Sequence, residues 1–235
     1  MEDDRQLLEQ QMAYYRARAR EYDEWFLREK RYDHGPEHRR EWFHEIEEIR
    51  KVLRSTVRDA DVLELACGTG LWTQYLAESN QRILAVDASA EVIAINRERV
   101  SSANVEYQIA DIFSWKPATT FDVVFFSFWL SHVPPGRFDA FWTGVRAALR
   151  PGGQAFFIDS LLEEMSSARD HGPVDRSGVA HRKLNDGREF DVVKVFYEPA
   201  ELERRLVDGG WKGWVRSTGR FFLYGSMSPN RAKPY

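Results

Sequence analysis

The chain has 235 residues, 33 Lys and Arg against 37 Asp and Glu, and a single cysteine. That length suffices for one sizeable domain that folds without covalent staples, and one cysteine excludes both an internal disulfide framework and a cysteine-rich zinc module. The net charge of −4 speaks against a nucleic-acid footprint, no apolar run reaches the roughly 20 residues of a membrane span, and the acidic opening MEDDRQLLEQQ is no signal peptide, so a soluble cytoplasmic protein is expected.

Residues 1–60 carry 13 basic and 15 acidic side chains. Within them Leu8, Met12, Tyr15, Ala19, Tyr22 and Phe26 step by three and four, one apolar stripe on a helix. Gly35-Pro36 breaks it, since proline has no N–H to continue the ladder. A second stripe runs through Trp42, Ile46, Ile49 and Leu53. Two helices are predicted, forming an N-terminal helical lid over 1–58 ahead of a domain over 59–235.

From Asp61 the period changes. Strands are predicted at Val62–Ala66, Arg82–Asp87, Val105–Ile109, Asp122–Ser127 and Gln154–Asp159, with helices near Leu71–Ser79, Glu91–Val100 and Arg137–Leu149. Unbroken apolar strands alternating with helices imply a parallel sheet covered on both faces, a doubly wound (Rossmann-like) α/β fold. Arg150-Pro-Gly-Gly153 stops the last of these helices. Residues 161–180 show no clear period and are expected to be a mobile segment. His181–Leu184 and Glu189–Tyr197 read as strands around the Asp186-Gly187 turn, Pro199–Asp208 as a helix, and Trp211–Ser217 with Arg220–Tyr224 as a hairpin at the sheet edge.

The stretch Val62-Leu-Glu-Leu-Ala-Cys-Gly-Thr-Gly70 is a strand running into a glycine-bearing turn and then a helix. Gly68 and Gly70 remove side chains where the backbone turns tightly and a ligand approaches the main chain. Asp87, at the end of the second strand, suits the two adjacent hydroxyls of a ribose. Asp111, closing the third, suits the exocyclic amine of an adenine. Together they suggest an adenosine held across the strand ends. A dinucleotide loop would need a third glycine where Thr73 stands, and Glu64 would add negative charge beside a pyrophosphate. A P-loop is absent. S-adenosylmethionine, whose methionine part carries an ammonium and a sulfonium, fits better, with Glu64 as a nearby acid.

These residues resemble the class I S-adenosylmethionine-dependent methyltransferases. Glu64-Leu-Ala-Cys-Gly-Thr-Gly70 matches the family's first motif, Val86-Asp-Ala-Ser-Ala-Glu-Val92 its second and Ala110-Asp-Ile112 its third. Phe121 to Val133 looks like the fourth-strand motif, and Leu149-Arg-Pro-Gly-Gly153 like the turn before strand five. The resemblance implies a seven-stranded sheet with an antiparallel last strand. It also implies cofactor contacts from Glu64, Ala66, Gly68 and Gly70, from Asp87, Ala88 and Val92, and from Asp111, Ile112, Ser127 and Phe128. Tyr22-Asp-Glu-Trp25 and His38-Arg-Arg-Glu-Trp42 resemble the lid of the small-molecule branch, similar to quinone C-methyltransferases. By that likeness Tyr14, Arg18 or Tyr22 reaches the methionine carboxylate.

The acceptor is expected near Ser127–Pro135, beside the glycine loop, because ligands of open α/β sheets bind where the strand order reverses. His132 is the candidate base there, with packing or substrate contact as the alternative, and Trp25 and Trp129 are candidate substrate contacts. Trp42 and Trp142 are further candidates to line an apolar acceptor pocket with them and Phe128. No metal is expected, because Ser127 stands where the metal-dependent branch places an acid. Cys67 is read as a small packed residue. The fourth motif lacks the pattern of nucleic-acid amino-methylating enzymes, so the expected partner is a small molecule, neither nucleic acid nor membrane, and the oligomeric state is open. Residues 161–196 are expected to be a variable cover that selects the acceptor. The expected activity is methyl transfer, O- or N-methylation favoured, with S-adenosylhomocysteine as product. A non-catalytic S-adenosylmethionine-binding partner or sensor is the alternative.

Overall fold

The computed structural model describes residues 2–172 and 178–230. The acidic-basic N-terminal region forms three helices, α1 (Glu2–Arg18), α2 (Tyr22–Leu27) and α3 (Pro36–Thr56), with a 3₁₀ turn at Lys30–Tyr32. The single helix predicted ahead of Gly35 is therefore broken after Arg18. The break keeps the apolar stripe in phase, so periodicity does not register it. It arises from tertiary contacts: the Arg18 guanidinium lies over the rings of Tyr14 on α1, Tyr22 on α2 and Tyr32 in the turn. Pro36 opens α3, where its missing N–H has no partner to lose.

The main sheet contains β1 (Asp61–Leu65), β2 (Arg82–Asp87), β3 (Val105–Ile109), β4 (Phe121–Ser127), β5 (Leu149–Ser160), β8 (Trp211–Ser217) and β9 (Phe222–Pro229). Its order is β3-β2-β1-β4-β5-β9-β8. The first five strands are parallel, and β9 runs antiparallel to both β5 and β8. Alternation along each strand feeds two cores. Val62, Ile83 and Phe125 face α3 and α4 (Thr73–Ser79). Leu63, Val86, Val124 and Phe126 face α6 (Phe138–Ala148) and α7 (Pro199–Asp208). Between β2 and β3 lies α5 (Ala90–Arg99), capped by the Ser89 hydroxyl, which accepts from the Val92 amide at 3.3 Å.

Trp42 and Trp142 belong to these two cores, 0% and 3% exposed. Neither lines a cavity with the candidate site, which corrects the expectation for both. Trp42 packs edge-on against Phe221 and Phe222, and Trp142 against Phe157 and Trp211. Their size is spent on the interior, the ordinary use of tryptophan in a sheet-and-helix sandwich.

The predicted turn at Asp186-Gly187 joins β6 (Val179–Lys183) to β7 (Glu189–Val193) in a separate antiparallel pair. Its inner face, Ala180, Leu184 and Val192, packs on Tyr14 of α1. Within the segment expected to be mobile, residues 173–177 lie outside the described residues, and Glu164–Ser166 is a 3₁₀ turn. α1 and the β6–β7 pair thus stand together over the carboxyl ends of β1, β4 and β5. The strand order reverses between β1 and β4, which opens the crevice in which α/β sheets bind ligands.

Candidate active site

The turn after β1 is built for close approach of a ligand. Ala66, Gly68 and Gly70 all have positive φ. A Cβ on Gly68 would meet nothing within 4 Å, so its backbone faces open space. A Cβ on Gly70 would lie 2.6 Å from Asn96 Oδ1. Asn96 is fully buried and donates to the Gly68 carbonyl at 3.2 Å and the Thr73 hydroxyl at 2.9 Å. The glycine at position 70 therefore lets α5 clamp the loop, while the one at 68 leaves room for a guest.

That space is a cavity of about 230 Å³. Ala66, Gly68, Asp87, Ala88 and Val92 form one wall. Asp111, Ile112, Ser127 and Phe128 continue it, and Trp129 and His132 extend it past the end of β4. The roof is α1, through Leu8, Met12 and Tyr15. Asp87 accepts from the Gly68 amide at 3.0 Å and the Ser89 amide at 3.0 Å. Burial pushes its carboxyl upward, and the amides of Ser89, Gly68 and Ala88 oppose that shift. Asp111 accepts from the Phe113 amide and the Ser114 hydroxyl, each at 3.0 Å.

Glu64 and Gly70 do not line this cavity. Glu64 lies beneath the loop, 1% exposed, and its Oε2 has no hydrogen-bond partner among the described residues. Burial pushes its carboxyl up to about 8, against the pull of the Thr73 hydroxyl. Cys67 is buried and its thiol is pushed upward, first by burial and then by Asp87 and Glu64, so it is no nucleophile at neutral pH.

Tyr14, Arg18 and Trp25 line a second cavity of about 70 Å³. The two cavities share Tyr15, Tyr22, Phe128 and His132. His132 sits at the junction with a defined tautomer. Its Nδ1 is 2.6 Å from the Val193 carbonyl, which can only accept, so Nδ1 carries the proton. Its Nε2 is 2.7 Å from the Tyr15 hydroxyl, which donates to the remaining lone pair. Burial, and then Lys194, hold the imidazole well below its ordinary range and therefore neutral. Gln11 of α1 fixes this arrangement, donating to the His132 carbonyl at 3.1 Å and accepting from the Val193 amide at 3.0 Å.

Sequence reasoning does not identify Tyr15, nor Arg182 and Lys194, which also line the second cavity. Tyr15 falls on the helical stripe and reads as packing. Lys194 interrupts the apolar run Val192–Phe196, a signal that was available, since a lone lysine inside a buried strand needs a reason.

A cleft at the reversal of strand order with an acid at the end of β2, meeting a second chamber at a neutral histidine, defines a ligand-binding site on a doubly wound sheet. Comparison with known proteins agrees. A family profile described as "Methyltransferase domain" matches residues 62–153. The solved structure of a DhpI-SAH complex shares 39% identity, covers 96% of this chain and 98% of its own, and superposes with a TM-score of 0.78. A DhpI-SAM-HEP complex superposes at 0.75 with 38% identity, covering 95% of this chain and 98% of its own. A ubiquinone biosynthesis O-methyltransferase of Xanthomonas axonopodis pv. citri is 28% identical over 164 residues, 68% of this chain. That match spans 62% of the relative's own length, somewhat under two thirds. The chain belongs to the class I S-adenosylmethionine-dependent methyltransferases.

Proposed function

We propose that the protein transfers a methyl group from S-adenosylmethionine to an oxygen of a small-molecule acceptor, leaving S-adenosylhomocysteine. The observation that carries this reading is the junction itself, where the Tyr15–His132 pair lies on the wall common to both cavities. The residues fit the donor. The open face of Gly68 and the Asp87 carboxylate suit the ribose, and Asp111 and Ile112 suit the base. When bound, the donor supplies an electrophilic methyl on a sulfonium, whose bonding pair returns to sulfur as the acceptor attacks.

The chain's own work is alignment and proton handling. Holding two reactants in line removes most of the entropy from a bimolecular step. Phe128 and Tyr22 border both chambers and exclude water from the transfer axis. The Nε2 lone pair of His132 takes the acceptor's proton directly, or through the Tyr15 hydroxyl, which passes its own proton to Nε2 and receives the acceptor's. In this reading Trp129, packed on Phe113 at 5.6 Å, flanks the base of the donor, and Trp25 flanks the acceptor. Residues 1–58 act as the lid and 161–196 as the acceptor-selecting cover. The printed names of the curated O-methyltransferases favour oxygen. Among the described residues no helix is long and apolar enough to cross a membrane.

Calorimetry with S-adenosylhomocysteine and transfer of label from methyl-labelled S-adenosylmethionine into a metabolite extract test this reading together. Binding with a labelled small molecule is expected, and Asp87→Ala should weaken binding by about 1.5–3 kcal/mol, the worth of hydrogen bonds to a charged group. No binding by the wild-type protein would sink the assignment.

A further inference from the structure

We propose that Gln11 is a positioning residue for the base, one that fixes the proton of His132 on Nδ1 and so keeps the Nε2 lone pair free to take another. The proposal rests on the methyl-transfer reading for its consequence in turnover, while the tautomer itself is read in the free protein.

β7 has a strand partner, β6, on one side only. The amides on its other edge need partners of their own, and α1 supplies them. Gln10 Oε1 accepts from the Asp191 amide at 3.2 Å, and Gln11 Oε1 from the Val193 amide at 3.0 Å. Two residues further on, the Val195 amide donates directly to the Ser131 carbonyl at 2.8 Å, so the chain leaving β7 forms a ladder rung with the turn after β4. The neighbouring rung is not direct. The Gln11 carboxamide stands between the Val193 amide and the His132 carbonyl, and its Nε2 donates to that carbonyl at 3.1 Å. This inserted rung holds the two backbones an amide's width apart at Val193. The carbonyl of the same residue meets His132 Nδ1 at 2.6 Å. One side chain of α1 thus sets the distance over which the imidazole is gripped.

The task calls for a donor and an acceptor side by side, and a carboxamide carries both in fixed geometry. An ionised glutamate accepts without donating, asparagine is a methylene short, and methionine has the length with neither group. Gln11 is 2% exposed, so solvent is no substitute for it. Without the carboxamide, the Val193 amide and the His132 carbonyl are left unpaired in the interior or close directly on each other. Closure carries the Val193 carbonyl off Nδ1. The neutral ring is then free to hold its proton on Nε2, where the Tyr15 hydroxyl at 2.7 Å accepts as readily as it donates. That tautomer turns no lone pair toward the common wall, and the base is lost with all its atoms in place. Gln10 makes the same kind of tie to β7 without touching His132, which separates positioning of the ring from docking of the helix.

Nitrogen NMR of protein labelled at its histidines reads the tautomer at neutral pH, with the His132 signals identified by their loss in His132→Asn. Wild type should show Nδ1 protonated and Nε2 bare. Gln11→Met should give a mixture with protonated Nε2, and should lower label transfer from methyl-labelled S-adenosylmethionine into a metabolite extract by about a hundredfold, the contribution of a general base. Gln11→Glu keeps the acceptor for Val193 and loses the donor, so it should shift the tautomer part way, and it carries the test if Gln11→Met does not fold. Gln10→Met should keep the wild-type tautomer and rate. Binding of S-adenosylhomocysteine reports an intact fold in each variant. A wild-type proton on Nε2 overturns the proposal, and so does an unchanged Nδ1–H signature in the folded Gln11 variants. An equal shift in Gln10→Met overturns it in favour of helix docking. A shifted tautomer with wild-type label transfer overturns the part of Gln11 in the reaction. Failure of wild type to bind S-adenosylhomocysteine overturns the methyl-transfer reading, and the tautomers of the free proteins still decide whether Gln11 positions the ring.

Discussion

Lys194 titrates in the range where such an enzyme is assayed. Burial holds its ammonium down to about 8, with Arg182 and Arg18 pushing the same way and Asp159 opposing them. These groups face it from β6, α1 and β5, and the neutral His132 faces it from the turn after β4. An NMR titration should therefore show the Lys194 ammonium fully protonated below about pH 7 and largely neutral above about pH 9, and Lys194→Arg should remove the transition. A midpoint in the ordinary lysine range would mean that the side chain is solvated. At this scale the sequence was legible wherever a side chain lies next to a motif, as with Asp87 after β2. It was opaque for Arg182 and Lys194, because nothing local says which face of the β6–β7 pair turns toward the sheet.

The glycine loop shows how one element depends on another. At Gly70, with φ of +88°, a side chain would be strained and would also displace Asn96. Asn96 joins Thr73 to the carbonyl of Gly68, so moving it loosens the turn that borders the first cavity. Gly70→Ala should cost about 1–2 kcal/mol from the backbone alone, with more from the clash, read as a lower urea midpoint together with weaker S-adenosylhomocysteine binding. β2, β3 and α7 have the bounds that their residue patterns predict, because apolar alternation and the stops at Asp87, Ile109 and Gly209 are local signals. β5 begins earlier than expected. Leu149 pairs with Phe121, and the Pro-Gly-Gly stretch is carried inside the strand across a register shift, which only its neighbour β4 determines. The break between α1 and α2 was hidden for a related reason: no glycine or proline marks it, and the Arg18 guanidinium that gathers the rings of Tyr14, Tyr22 and Tyr32 leaves the apolar stripe in phase.

Across the whole molecule, the N-terminal helices are tied to the glycine loop by charge. Asp23 of α2 pairs with Arg99 at the end of α5, and accepts from the Thr69 hydroxyl at 2.6 Å. Arg99 also donates to the Thr69 carbonyl at 2.7 Å. Both ion-pair partners are about a quarter exposed, so the pair contributes about 1 kcal/mol and is screened by salt. Asp23→Asn should therefore weaken S-adenosylhomocysteine binding by about fivefold while leaving the melting temperature of the free protein close to wild type. Stopped-flow measurement should assign most of the change to faster release.

The roof helix α1 has a consequence for how the two ligands meet. It borders the first cavity with Leu8 and Met12, the second with Tyr14 and Arg18, and their common wall with Tyr15. In the methyl-transfer reading, free energy that one ligand spends in seating this helix is spared for the other, so donor and acceptor should each raise the other's affinity by the same factor, which calorimetry of each ligand with and without the other checks.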